Sequence, residues 1–331
     1  MYKRQVKRLL ASREALLLLA IVIVLGIIAS RFPAFITPTN LASVFNDTSP
    51  LILLAIGQMI VILTKCIDLS VAANLALTGM VVSLVNISVP DMPIILTMLI
   101  AIGFGTFLGM FNGVLVWKLD IPPIVVTLGT MTIFRGIIFL LTEGKWVNSH
   151  EMSDKFKAFP RAEILGMPVL SWIAIIVVIL FMVIMSRTKL GRAFYAAGGN
   201  PHAATYAGIN VGRTQFWAFT ISGALAGLTG YLWVSRFAVA YVDVAAGFEL
   251  TVVAACVIGG VSIMGGIGSV HGALLGALFL GIIANALPVV NISPFWQMAI
   301  SGSAIIIAVV LNAQANRVKG RIILKRAEQA T

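Results

Sequence analysis

A few polar residues stand within long apolar stretches of this sequence, where each is costly to bury and therefore informative. Asp68 separates two apolar runs, and Asn112, Thr127 and Thr130 stand in the two apolar segments that follow. Arg135 is the one basic residue deep within an apolar segment. Side chains of these types can hold a polar solute by hydrogen bonding alone. We therefore take these five residues as candidates for a polar pathway or its gate.

Each candidate also has a structural interpretation. Asp68 could pair with Lys65 and stabilise the positive end of the next helix. Arg135 could bind helix carbonyls or an acid such as Glu143, and the three uncharged residues could form interhelical hydrogen bonds. The residues alone leave both interpretations open.

The sequence contains no arrangement suited to covalent or metal chemistry. Its three histidines share no ligand spacing, and its two cysteines are isolated within apolar sequence. The glycine-rich run 259–268 lacks the Gly-Lys-Ser/Thr ending of a phosphate-binding loop. We expect no catalytic residue, no metal site and no cofactor bound by this chain.

Composition places most of the chain in lipid. Of its 331 residues, 60% are hydrophobic and 11% are charged, whereas an average soluble domain is about 25% charged. Ten apolar segments approach the roughly 20 residues that cross a bilayer. They are 15–31, 50–64, 69–89, 93–117, 121–142, 164–186, 214–235, 247–264, 268–289 and 294–312. We predict an all-α, polytopic transmembrane helix bundle of about ten spans.

The distribution of charge predicts the orientation. With the N-terminus inside and ten crossings, sixteen of the 23 Lys and Arg residues fall in inside segments and six in outside segments. This asymmetry is typical of a cytoplasmic membrane face and predicts that both termini are cytoplasmic. The net charge of +11 does not indicate nucleic acid, because the basic residues form short runs between apolar segments that suit a lipid surface.

The chain divides into a basic N-terminus (1–14), a transmembrane domain (15–312) and a basic tail (313–331). The first apolar run resembles a signal peptide, but no small-x-small cleavage site follows it. We therefore expect a retained first helix.

The inside segment 187–213 has the pattern of two short helical elements. A glycine pair at 198–199 ends the first, and Asn200-Pro201 suits the N-cap and first position of the second. That second helix, Ala203–Ala207, is rich in small residues and ends at Gly208. Such a helix can seat in a cleft on a partner protein, or the segment can be an ordinary connection. Spacing alone does not decide between them.

Seven stretches spread along residues 40–312 carry a family resemblance. They are the 187–213 segment, Ile67–Val71, Asn112-Gly113, Ile121–Met131, Arg135-Gly136, Ser222–Gly227 and Val257–Ser269. Taken in their order along the chain, these stretches resemble the membrane permease subunits of bacterial ATP-binding-cassette (ABC) importers. The branch they are most similar to serves ribose, arabinose, xylose, galactose, rhamnose and autoinducer-2.

The resemblance implies a set of partners. A cytoplasmic ABC ATPase, which binds ATP and Mg²⁺, would dock on 187–213, and a second permease copy or a sister permease would complete the pathway. A periplasmic or lipid-anchored solute-binding protein would dock on the outside loops 143–163 and 236–247. The solute would be a small sugar, polyol or autoinducer-2-like molecule crossing the inner membrane. The residues expected to couple to the ATPase are Gly191, Arg192, Gly198, Gly199, Asn200, Pro201, Ala203, Ala204 and Gly208.

Two alternatives and one departure accompany the resemblance. A branched-chain amino acid permease would share the fold, whereas an ion-coupled transporter would need intramembrane acids, and most acids here lie in loops. Thr64-Lys65-Cys66 stands where relatives usually carry two glycines, and Ala72-Ala73 where one is usual. A lysine does not reproduce the freedom of glycine, so the geometry of this turn is left open.

Overall fold

A computed structural model describes residues 13–293, 295–296, 298–300, 302–303 and 306. The basic N-terminus up to residue 12, most of the predicted tenth span (294–312) and the tail 313–331 lie outside these residues. Within the described part the chain is an α-helical bundle, and its strands are limited to one short antiparallel pair.

The elements follow one another with short connections. The helices are α1 (Arg13–Arg31), α2 (Pro38–Leu63), α3 (Val71–Ser88), α4 (Ile94–Lys118), α5 (Pro123–Thr142), α6 (Asp154–Ala158), α7 (Val169–Arg187), α8 (Lys189–Gly199), α9 (Pro201–Tyr206), α10 (Val211–Phe237), α11 (Phe248–Ile258) and α12 (Val270–Val289). Single 3₁₀ turns cover Pro33–Ile36 and Phe159–Arg161, and β1 (Glu163–Ile164) pairs with β2 (Met167–Pro168).

Eight of the helices in the described residues are long and apolar enough to cross a membrane, namely α1–α5, α7, α10 and α12. The predicted all-α polytopic bundle is confirmed. The eighth predicted segment, 247–264, is helical only over Phe248–Ile258. Glycines with left-handed backbone follow, with φ of 85° at Gly260, 79° at Gly265 and 73° at Gly266. A right-handed helix cannot continue through such residues, so a glycine-rich loop runs on to the start of α12.

The centre of the bundle is formed by α2, α3 and α10. Every residue of α2 from Leu51 to Leu63 is buried. By contrast, α1 and the outer faces of α4, α5 and α7 expose large apolar side chains, for example Leu18, Leu99, Leu140 and Ile176. This distribution is that of a bundle whose outer surface faces hydrocarbon rather than water.

Helices α4 and α10 meet along a seam of glycines. A Cβ placed on Gly109 would lie 2.3 Å from the Phe219 carbonyl oxygen, and one on Gly223 would lie 2.4 Å from the Gly105 oxygen. In lipid, where apolar side chains gain little by associating, close backbone approach supplies the packing energy between helices. The seam therefore fixes the distance between α4 and α10.

The bundle has two distinct ends. At the α8–α9 end, the Gly266 N–H donates to the Leu63 carbonyl (3.0 Å) and the Tyr195 hydroxyl donates to the Gly268 carbonyl (3.0 Å). At the opposite end, the backbones of Val147 and Ala240 pair as an antiparallel bridge. The loops that lie together at each end are the ones that the distribution of charge assigns to the same side of the membrane. The cytoplasmic placement of the α8–α9 end stays a prediction.

The opposite end is also joined by arginine side chains. Arg161 Nε donates to the Arg236 carbonyl (3.0 Å). Arg236 in turn donates to the Asn46 carbonyl (2.8 Å) and pairs with the Asp47 carboxylate. These bonds connect the loop before α7, the end of α10 and the first half of α2.

We predict that Gly109→Ala destabilises the bundle, because the added methyl group collides with the α10 backbone. Overpacking of this kind costs about 1–3 kcal/mol of unfolding free energy. The matched control is Gly103→Ala on the same helix, where a Cβ meets no atom within 4 Å. The control should be neutral or slightly stabilising, since alanine favours helix by about 1 kcal/mol over glycine. Thermal unfolding in detergent, followed by tryptophan fluorescence, measures the stability of both variants. Equal midpoints for the two variants would contradict a stabilising role of the glycine contacts between α4 and α10.

Candidate functional site

The connection between α2 and α3 turns back into the bundle. The Gln58 side-chain amide, oriented so that both of its polar atoms are satisfied, bonds the backbone of Asp68 at 3.1 and 3.2 Å. Asn112 Nδ2 donates to Ser70 Oγ (2.8 Å). Asn112 lies six residues before the end of α4, about 9 Å along the helix. Segment 64–70 is therefore a re-entrant loop, and α3 begins inside the bundle.

The Asp68 carboxylate is enclosed by hydroxyl and amide donors. It is 2% exposed, and its Oδ1 accepts from Ser70 N (2.9 Å) and Ser70 Oγ (2.6 Å). Its Oδ2 accepts from Ser222 Oγ on α10 at 3.5 Å. The pair of Asp68 and Lys65 considered in the sequence does not form, because Lys65 is exposed and the carboxylate points to the two serines. Asp68 stabilises the start of α3 through Ser70.

Two further candidates reach the same loop. The Thr127 hydroxyl lies 3.2 Å from the Ile67 carbonyl and 3.0 Å from the Pro123 carbonyl of its own helix. Asn112 contacts the loop through Nδ2, and its buried Oδ1 has no hydrogen-bond partner among the residues that the structure describes. Thr130 lies one turn further along and bonds the Thr127 carbonyl (3.4 Å).

We call the residues Asp68, Ser70, Asn112, Thr127 and Ser222 the Asp68 cluster. Three of its members are candidates from the sequence, namely Asp68, Asn112 and Thr127, whereas the two serines are not. Ser70 could have been found, because a serine two residues after an aspartate is a common Asx-turn partner. Ser222 could not, since only packing brings α10 to the loop.

Arg135 does not belong to the cluster. Its Nη1 donates to the carbonyls of Val242 and Val244, the latter at 2.8 Å, at the opposite end of the bundle. Glu143 pairs with Lys145 instead (3.0 Å). Arg135 therefore ties α5 to the 238–247 loop through backbone carbonyls, which is close to its structural interpretation.

Segment 187–213 folds as two short helices, α8 and α9. The Asn200 side chain accepts from Ala203 N (3.1 Å) as N-cap, Pro201 occupies the first turn, and Gly208 has φ of 80°. Ala204 is buried, whereas the other side chains from His202 to Ala207 are exposed. The α9 surface is thus free over most of its circumference.

Tyr206 is the most prominent side chain of α9, at 93% exposed. Tyr206 is not among the residues predicted to couple to the ATPase, because the pattern that predicts the helix is a run of small residues. An aromatic residue at the end of the otherwise small and polar sequence 201–206 was the available signal, since tyrosine is common among residues that anchor protein interfaces.

The end of α8 rests directly on the end of α2. A Cβ on Gly198 would lie 1.6 Å from the Leu63 carbonyl oxygen, whereas one on Gly199 would meet nothing within 4 Å. At the start of α8, Gly191 N donates to Thr188 Oγ1 (3.1 Å), and Arg192 Nη1 lies 3.4 Å from the Arg187 carbonyl. Gly198 therefore connects α8 to the residues that lead into the re-entrant loop.

The sequence matches one protein family over most of its length. Residues 40–309 match the family described as branched-chain amino acid transport system / permease component. The chain is 37% identical to the autoinducer 2 import system permease protein LsrC of Enterobacter sp. (strain 638), over 93% of this chain and 89% of the relative. It is 36% identical to the ribose import permease protein RbsC of Haemophilus influenzae, over 92% of this chain and 94% of the relative. No solved structure matches the chain.

We predict that the stability of the bundle depends on the acceptor at position 68. Asp68→Ala leaves three buried donors without their partner, and each stranded group costs about 1–3 kcal/mol of unfolding free energy. Asp68→Asn keeps one acceptor oxygen and should be clearly milder. Thermal unfolding of the purified protein in detergent measures the difference. If Asp68→Ala unfolds at the same temperature as the wild type, the cluster does not stabilise the fold.

Proposed function

Because this chain belongs to the family of branched-chain amino acid transport system permease components, we propose that it is the membrane permease of an ATP-driven importer. The chain is a multi-pass membrane protein, and its inner-membrane location follows from the proposal. The solute that the relatives favour is a small sugar or sugar-like molecule, since their names specify ribose and autoinducer 2 import. The chain moves the solute and catalyses no covalent step.

The observation that carries the proposal is the exposed α8–α9 end. A six-residue helix, α9, projects from the bundle with Tyr206 nearly fully exposed and no other described element covering it. A cytoplasmic ABC ATPase seats this helix and binds the ATP and Mg²⁺, so that the permease itself needs no cofactor. The candidate contacts of the ATPase are the nine coupling residues predicted from the sequence, from Gly191 to Gly208, together with Tyr206.

Force passes from α9 to the pathway through the contact of Gly198 with Leu63. A displacement of α8 shifts the last turn of α2 without slack, because the two backbones touch. Asp68 follows Leu63 by five residues and accepts a hydrogen bond from Ser222 on α10, and its neighbour Ser70 accepts one from Asn112 on α4. The re-entrant loop is then the moving element at the gate, and a bistable packing of this loop gives two access states.

The free acceptor on Asn112 suits this role. An importer needs polar groups that hold its solute weakly enough for release, and a buried carbonyl oxygen without a partner is available to a hydroxyl donor. A second permease copy or a sister permease completes the pathway. The solute-binding protein docks at the opposite end, where the 143–163 and 236–247 loops are joined by the bridge of Val147 and Ala240.

Branched-chain amino acids are the second candidate solute, because the family description names them. Reconstitution into proteoliposomes with the ATPase and the solute-binding protein separates the two. We expect ATP-dependent uptake of a labelled pentose or autoinducer-2 analogue and none of leucine. Uptake of solute without any ATPase would contradict the whole proposal and favour an ion-coupled transporter.

We predict that Tyr206→Ala weakens binding of the ATPase without destabilising the permease. Truncation of an interface anchor costs about 2 kcal/mol or more, which is roughly 30-fold in Kd. The control is Trp146→Ala, an exposed aromatic residue at the opposite end, which should leave ATPase affinity unchanged. Surface plasmon resonance on detergent-solubilised protein gives both constants. Equal affinities for wild type and Tyr206→Ala would remove α9 from the interface.

We predict that Gly198→Ala separates ATP hydrolysis from transport. The methyl group forces α8 off the Leu63 carbonyl, an overpacking cost of about 1–3 kcal/mol that corresponds to roughly a 5- to 150-fold loss of transport. Gly199→Ala, with open space around its Cβ, is the matched control and should transport normally. The readout is solute moved per ATP hydrolysed by the assembled complex. A wild-type ratio in Gly198→Ala would show that force does not pass through this contact.

A further inference from the structure

Lys65 has a backbone conformation that favours glycine. Its φ is 65°. Lys65 N donates to the Ile62 carbonyl (2.9 Å) and Cys66 N to the Val61 carbonyl (3.3 Å), which together form the Schellman motif at the end of α2. Lys65 occupies the left-handed position of that motif, where an L side chain is sterically disfavoured and glycine is usual. The turn that the sequence left open therefore forms, but with a strained lysine in it.

The surroundings of Lys65 make room for its side chain. A Cβ on Gly265 would lie 2.5 Å from Lys65 Cγ, so the stem of the lysine runs over the bare backbone of the 259–269 loop. The Gln215 amide donates to the neighbouring Thr64 carbonyl (3.3 Å). Lys65 thus lies beside the end of α8, the start of α10 and the glycine-rich loop, and its side chain is exposed at the surface of this chain.

No acidic side chain forms an ion pair with Lys65 within the part of the chain that the structure describes. The four ion pairs found there all lie at the opposite end of the bundle. The nearest acid in sequence, Asp68, is turned to Ser70 and Ser222. A strained residue persists where the surrounding structure or its function holds it in place, and here the internal contacts would be served equally well by glycine.

We propose that Lys65 is a second docking anchor for the ATPase, whose ammonium group pairs with an acidic side chain of that partner beside the α9 seat. The inference rests on the proposed function. A protein partner fits better than a lipid headgroup, because the Gly265 backbone beneath the Lys65 stem also lies against Gly198, three residues before the α9 seat. The ion pair completes the interface only when the ATPase is seated, and it steers the approach of the partner through its charge.

Two substitutions separate docking from local structure. Lys65→Gly relieves the left-handed strain and removes the charge, so the thermal midpoint of the permease should rise while the Kd for the ATPase weakens by roughly 3- to 10-fold at low salt. The deficit should shrink as ionic strength rises. Lys65→Arg keeps both the strain and the charge and should bind within twofold of wild type. A purely structural lysine would instead make stability and binding change together.

Binding of the purified ATPase to the full-length permease is measured in detergent and in vesicles with and without anionic lipid. Lys145→Gly at the opposite end serves as the control for a lost surface lysine. Unchanged affinity in Lys65→Gly overturns the inference while leaving the proposed function intact. So does an equal loss in Lys65→Arg, or a loss that appears only in vesicles containing anionic lipid. A wild-type permease that binds no ATPase overturns the proposed function itself, a result distinct from all three.

Discussion

The structure depends on backbone groups that touch directly where glycine removes the side chain. At the α8–α9 end, the Leu63 carbonyl accepts from Gly266 N and lies against Gly198. Three elements that are distant in sequence, α2, α8 and the 259–269 loop, therefore share one carbonyl group. In lipid, close backbone contact and hydrogen bonding replace the hydrophobic attraction that joins helices in water. Such a contact transmits movement well because it contains no flexible side chain.

The Asp68 cluster satisfies the hydrogen-bonding groups of a helix interruption inside the bundle. Segment 64–70 interrupts the helices, and of its seven residues only Lys65 is exposed, so side chains must serve its buried backbone groups. Gln58 bonds the Asp68 backbone, and Thr127 reaches the Ile67 carbonyl. The price of a buried carboxylate is offset by three donors from Ser70 and Ser222. Non-helical backbone at this depth is found where it lines a cavity or moves, which agrees with a gate.

Sequence reasoning predicted local features well and spatial ones poorly. Asn200 and Pro201 carry the capping chemistry of α9 in their side chains, so the helix start was predictable from those two residues. The loss of helix after Ile258 was not, because an apolar run with glycines suits a span until the left-handed φ values of Gly260 and Gly265 are known. The partners of Asp68 and Arg135 depend on which helices pack together. A single sequence does not contain that information, and Lys65 was therefore wrongly considered as the partner of Asp68.

The guanidinium groups at the opposite end have a mechanical consequence. Three arginines at this end, Arg135, Arg161 and Arg236, donate hydrogen bonds to carbonyls of other segments. They join α5, α2, α10 and two loops into one rigid unit. Each group can bond more than one oxygen in a fixed plane, which resists shear as well as separation. A partner that docks there would meet a stiff surface, whereas at the other end α8 and α2 are joined by one close backbone contact. Under the proposed function, movement would enter at the α8–α9 end and would be resisted by the arginine-bonded opposite end.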